Sequence, residues 1–191
     1  MTSARVPGER AGLSLPAVIA AARASLIERG VDGLSMRAVA ERLGVAPNAI
    51  YSHVANKTAL LDAVLDDLLG EIPVAGRDLT PRDGLTAIMR DSFDTLVRHP
   101  EFVAATLARQ GSGGTNAWRL GDRMLEYFAD AGLSDGAARD GLRILLVHMM
   151  GAAAFATQFD SSGGLTPPHE IAAVRADYVT GLGWLLDGIL G

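Results

Sequence analysis

The chain has 191 residues, no cysteine, 49% hydrophobic and 20% charged side chains and a net charge of −5. That is the composition of a globular protein, one domain or a small domain joined to a larger one; it excludes a disulfide framework, zinc-thiolate and iron–sulfur sites and a Cys nucleophile, and it suits a reducing cytoplasm. The charge excludes a protein coated all over by nucleic acid but is unevenly spread: residues 1–57 hold seven Lys and Arg against four Asp and Glu, net +3, and residues 58–191 ten against eighteen, net −8.

The first 13 residues carry charges with no apolar run behind them and read as a flexible tail, not a secretory signal. Beyond them apolar residues recur at helical spacing and no window alternates as a strand does, which predicts an all-α chain. A first helix is capped by Ser14, has Pro16 in its first turn, carries Leu15, Val18, Ile19, Ala22 and Leu26 on one face and ends at Gly30. Short helices follow at 36–43, capped by Ser35 and stopped by Gly44, and at 47–54, opened by Pro47. Asn56 caps a fourth helix whose buried stripe is Leu60, Leu61, Val64, Leu65 and Leu68.

Residues 72–78, with Pro73 and Gly76, read as a junction. Thr80-Pro81 then starts a helix over 80–98 that His99-Pro100 closes. Further helices are predicted over 101–109, over 116–131 after the Gly111–Gly114 run, over 134–159 behind a Ser134 cap, and over 169–190 after Gly163-Gly164 and Pro167-Pro168. The longest uncharged apolar-rich run, Ile144 to Phe159, falls short of the roughly 18 to 20 residues a membrane span needs and reads as a buried helix.

Residues 36–54 have the features of a helix-turn-helix: Ala40 is small where two short helices cross, Gly44 makes the tight turn, and Val45 and Ile50 plug the gap. Gly44-Val45, Tyr51-Ser52-His53-Val54 and Asn56-Lys57-Thr58-Ala59-Leu60-Leu61 together resemble the TetR-type bacterial transcriptional repressors, and the tetracycline-repressor branch in particular, over about 14–70. The resemblance implies a three-helix DNA-binding domain at 14–56, a connecting helix at 57–71 and a larger helical ligand-binding and dimerisation domain at 72–191. It also implies that Pro47, Asn48, Ala49, Tyr51, Ser52 and His53 face DNA from a recognition helix, that Arg37 faces it from the preceding helix, and that Lys57 meets a phosphate. Ala49 and Ser52 are small, so specificity is expected to lean on Asn48, Arg37 and DNA shape. Taken singly, Tyr51 reads equally as a core tyrosine, Lys57 as a solvated helix start and Arg37 as a salt-bridge partner. Arg5 and Arg10 read as a frayed terminus or as extra phosphate contacts.

His53, His99, His148 and His169 are scattered without metal-ligand spacing, the glycine run lacks the Lys-Ser or Lys-Thr of a phosphate loop, and no nucleophile elbow is present. Neither an enzyme, a metal site nor a cofactor is expected, and no cluster specifies a metal–tetracycline chelate. Phe93, Phe102, Leu107, Trp118, Met124, Phe128, His148 and Met149 are candidates for an adaptable apolar ligand pocket, although plain core explains the same residues. The 134–159 helix is apolar over most of its circumference; Gly151 to Ala154 there, with Gly181, Gly183 and Gly188 on the last helix, permit close approach of a second copy, so that Ala153→Glu is expected to give monomers or unfolded protein. The expectation is a cytoplasmic homodimeric repressor, with no membrane partner, that binds a palindromic operator and is released by a small, largely apolar molecule, the fourth helix being the lever. The rival readings are a ligand-dependent activator with the same head, and a helical small-molecule-binding protein with weak or conditional DNA binding.

Overall fold

The computed structural model describes residues 13–74, 76, 78–109, 113–157 and 167–191. The expected tail apart from Leu13, the residues Gly111, Ser112, Gly163 and Gly164, and Phe159 as the end of the eighth helix lie outside them. Among the described residues every regular element is a helix, and the chain divides into two compact units between Leu61 and Asp62.

In the N-terminal unit, α1 (Leu15–Gly33) opens on Ser14, whose hydroxyl accepts from the Ala17 N–H. Its regular part ends as expected, since Gly30 sits at φ 67° and ψ −174°, where a Cβ is not tolerated. Val18, Ala22 and Leu26 are buried, but Leu15, expected beside them, is exposed. Helical side chains lean toward the N-terminus, so the first one overhangs the end of its helix. α2 (Met36–Leu43) is capped by Ser35, whose hydroxyl accepts from Ala38 N–H at 3.1 Å. It closes in a Schellman turn: Gly44, at φ 66°, donates to Glu41 and Val45 donates back to Ala40 at 3.0 Å.

α3 (Pro47–Tyr51) is shorter than the predicted 47–54. Ser52 Oγ donates to the Ala49 carbonyl at 2.7 Å, and the N–H groups of His53 and Val54 both turn back to Ile50, so the chain leaves the helix there. Ala40 and Ile50 are fully buried while Val45 is half-buried, so Ile50 is the main plug between α2 and α3. α4 (Lys57–Leu69) starts where Asn56 Oδ1 accepts from the Ala59 N–H at 2.9 Å.

In the C-terminal unit, α5 (Pro81–Arg98) begins with Thr80 Oγ1 accepting from the Asp83 N–H at 3.2 Å. The predicted helix at 101–109 splits into a 3-10 turn at Pro100–Phe102 and α6 (Val103–Ala108), because Pro100 fixes φ and lacks a donor. α7 (Thr115–Asp130), α8 (Asp135–Ala156) and α9 (Pro168–Leu190) follow, and α8 packs against α5, α6, α7 and α9. At its centre Tyr178 stacks between Phe93, with ring centroids 4.6 Å apart, and His148, 5.0 Å away, and donates its hydroxyl to the Met89 carbonyl at 2.9 Å.

The chain itself covers only part of the apolar circumference of α8. Leu145, Met149, Met150 and Ala153 are buried within the chain, whereas Ile144, Val147 and Phe155 are exposed, as is Trp184 on α9. Ala153→Glu therefore strikes the chain's own core, and the exposed edge runs through Val147, Gly151 and Phe155. Gly181 also serves the chain itself: a Cβ there would come within 2.8 Å of the His148 ring, so its absence lets α9 approach α8, while Gly151 and Gly188 face open space.

Candidate nucleic-acid interface and apolar cavity

In the N-terminal unit the Schellman turn aims α3 away from α2, and the burial of Ile50 fixes which of its residues face outward. Pro47, Asn48 and Ser52 are exposed, Tyr51 is 52% exposed, and Ala49 and His53 are half-buried. Exposure on this scale excludes the reading of Tyr51 as a core residue. Arg37, on the first turn of α2, and Lys57, the first residue of α4, are exposed too. Among the described residues neither is held by a carboxylate, whereas Arg42 is bonded to Glu28. Arg37 and Lys57 thus keep their N–H donors for an external anion, and Asn48 presents an amide that can pair with a base edge. Ser52 contributes less, because its proton is held by the Ala49 carbonyl.

The C-terminal unit contains a cavity of about 720 Å³ lined by α4, α5, α7 and α8, with further residues around α6. Of the eight residues the sequence singles out, Trp118, Met124 and Met149 line it. The other five lie elsewhere: Phe93, Phe102 and Phe128 are fully packed in the core, Leu107 is exposed on α6, and His148 belongs to the Tyr178 stack. His148 Nε2 lies 3.1 Å from the Tyr178 carbonyl, which only accepts, so that nitrogen carries the proton.

Sequence reasoning missed the contribution of α4, which supplies Asp62, Leu65, Asp66 and Leu69 to the wall. α4 carries three carboxylates, Asp62, Asp66 and Asp67, and their spacing alone does not mark which of them turn to the cavity. Asp62 accepts Nε–H and Nη2–H of Arg109, both at 2.7 Å, and Asp66 accepts the first N–H groups of α7, from Asn116 and Ala117. Arg119 donates to the carbonyls of Leu69 and Ile72 at 3.1 and 2.9 Å, closing the C-terminal end of α4.

Residues 18–64 match the family model for bacterial regulatory proteins of the tetR family. The class A tetracycline repressor protein from transposon 1721 of Escherichia coli is 34% identical over 152 residues, which are 77% of this chain and 68% of that protein. Among solved structures, BioQ of Mycobacterium smegmatis is similar at a TM-score of 0.78 and 28% identity, covering 93% of this chain and 98% of that one. BioQ with its double-stranded DNA operator is similar at a TM-score of 0.73, again at 28% identity, over 93% of this chain and 98% of that one.

Proposed function

Because the chain belongs to the TetR family and is therefore a DNA-binding transcriptional regulator and not an enzyme, we propose that it is a cytoplasmic repressor that binds a palindromic operator as a homodimer and lets go when a small, largely apolar molecule fills the cavity. The observation that carries this reading is the pairing of an outward-facing α3 with two exposed cations, Arg37 and Lys57, that among the described residues hold no carboxylate. α3 enters the major groove with Asn48 and Tyr51 on base edges and sugar–phosphate, and the two cations meet phosphates on either side.

Two such heads reading an inverted repeat require a two-fold partner. The exposed edge of α8, where Val147 is 68% and Phe155 67% exposed, together with Trp184 of α9 at 72%, supports a second copy as its cover. α4 is the proposed lever, since it carries Lys57 as its first residue and Leu65 and Leu69 in the cavity wall. A ligand that favours one position of this helix needs a coupling of only about 1–3 kcal/mol to change operator affinity. Among the described residues no helix is long and apolar enough to cross a membrane.

The test is selection of bound sequences from a random duplex library by the purified protein at moderate salt. An inverted repeat with half-sites about one helical turn apart, or a multiple of it, is the expected product. Isolated half-sites would overturn the dimeric reading, and recovery of nothing above background would overturn repression by the ligand-free protein.

A further inference from the structure

Starting from the reading of the cavity as an effector site, we infer that its ligand is an uncharged molecule of three or four fused aromatic rings stacked on Trp118. Size sets the first limit. A void of about 150 Å³ takes one benzene, so a cavity of about 720 Å³ has room for roughly three or four rings with substituents.

The wall sets the second limit, because most of its polar groups are already engaged. Asp62 is held by both donors of Arg109, Asp66 by the start of α7, and Arg143 is bonded to Asp140. The hydroxyls of Ser92 and Thr106 donate back to their own helices, to Ile88 at 2.7 Å and Phe102 at 2.9 Å. An anionic ligand must open the Asp62–Arg109 pair to find a cation, and a cationic one meets carboxylates that are already satisfied, Asp122, exposed at the wall, being the one without a bonded partner among the described residues. Bringing an unpaired charge into such a setting is disfavoured.

Recognition is left to sulfur and π faces. Met89, Met124, Met149 and Met150 all line the cavity, and thioethers make favourable contacts with aromatic rings. Trp118 lines it too and is 68% exposed, the one aromatic ring on a wall whose other exposed apolar members, Leu146 and Val147, are aliphatic. Gly113 lies against the indole edge, where a Cβ would come within 2.5 Å of Nε1, so the missing side chain leaves that edge of the ring its place.

Pyrenemethanol, pyrenecarboxylate and pyrenemethylammonium share one four-ring skeleton and differ in charge. Titrated onto the full chain and followed by pyrene emission, the neutral compound is expected to bind at one per chain, about tenfold or more tighter than either charged one. Trp118→Ala is expected to lower its affinity about tenfold with little change in the melting midpoint, and Trp118→Phe to restore most of the loss. Tighter binding of the carboxylate would overturn the inference in favour of an acid that opens Asp62–Arg109; tighter binding of the ammonium would overturn it in favour of Asp122; binding of none would overturn it outright. Neutral-probe binding that fails to release operator DNA would leave the ligand class standing and overturn the effector role.

Discussion

In the N-terminal unit the groups that set the fold lie within a few residues of what they set, whereas the C-terminal unit is joined by side chains far apart in sequence. Ser14, Ser35 and Asn56 each cap the N–H three positions on, and Gly44 turns α2 into α3 within one Schellman motif. By contrast Arg109 reaches Asp62 across 47 positions, Arg175 reaches Asp94 across 81 and Arg82 reaches Asp187 across 105. An N-terminal unit built from local signals is specified within short stretches of chain, and a C-terminal unit built from long-range pairs is specified only when distant segments meet.

The largest expected effect tests whether the two units unfold separately. Ile50 is fully buried between α2 and α3, and Ile50→Ala should cost about 2–5 kcal/mol. Both tryptophans, Trp118 and Trp184, belong to the C-terminal unit, so their emission follows that unit alone, while far-ultraviolet dichroism follows all the helices. Ile50→Ala is expected to abolish operator binding and lower the first dichroism transition without moving the emission midpoint. An equal shift in both signals would mean that the units unfold as one.

Two glycines sharpen the contrast, one needed for space and the other for angle. At Gly84 an added Cβ would come within 2.1 Å of the Tyr127 ring, whose hydroxyl is tied to the Gly76 carbonyl and cannot retreat. Gly84→Ala should destabilise the C-terminal unit by about 1–3 kcal/mol, read in the emission melt. At Gly44 nothing lies within 4 Å, so Gly44→Ala should cost only the strain of its φ of 66°, about 1–2 kcal/mol in the dichroism melt, and Gly44→Asn less.

The same contrast explains what was legible in the sequence. The helix-turn-helix and its exposed residues could be read from contiguous positions, because caps, a positive-φ glycine and a buried isoleucine act on their neighbours. The errors there are local too: α3 stops at Tyr51 because Ser52 bonds back to Ala49. In the C-terminal unit helical spacing shows which residues are buried, but not whether a buried face meets another helix or a void. Phe93 and Phe128 meet helices, Met124 and Met149 meet the cavity, and nothing in their spacing separates the two pairs. The α4 wall was missed for the same reason, since its Asp62 and Asp66 gain meaning only from Arg109 and Asn116, some 50 positions away.

A smaller effect is expected at the start of α4. If Lys57 meets a phosphate, Lys57→Ala should weaken binding to operator and to random duplex alike, and should lower the slope of log affinity against log salt by about 0.9 per subunit. Folding should not change, because Lys57 is exposed and among the described residues holds no carboxylate. An unchanged slope would remove Lys57 from the contacts and leave Arg37 as the remaining cation of the surface.

The smallest effect falls on one of the long-range pairs. The two hydrogen bonds from Arg175 hold the Asp94 carboxyl below its ordinary value of 3.8, with the nearby guanidinium charges adding to the effect and partial burial opposing it. A carboxyl with a depressed folded-state value stabilises the protein above its unfolded value, and that contribution is lost as pH falls through the folded one. The stability difference between wild type and Asp94→Asn should therefore be full above about pH 5 and shrink below about pH 4, and it should be small, since both side chains keep about a third of their surface in water. Because Asp94 and Arg175 join α5 to α9, the shift should appear in tryptophan emission while operator affinity at neutral pH stays constant. A difference that stays constant down to pH 3 would mean that Asp94 acts through packing and neutral hydrogen bonding, and the charge on this pair would then play no part in holding α5 to α9.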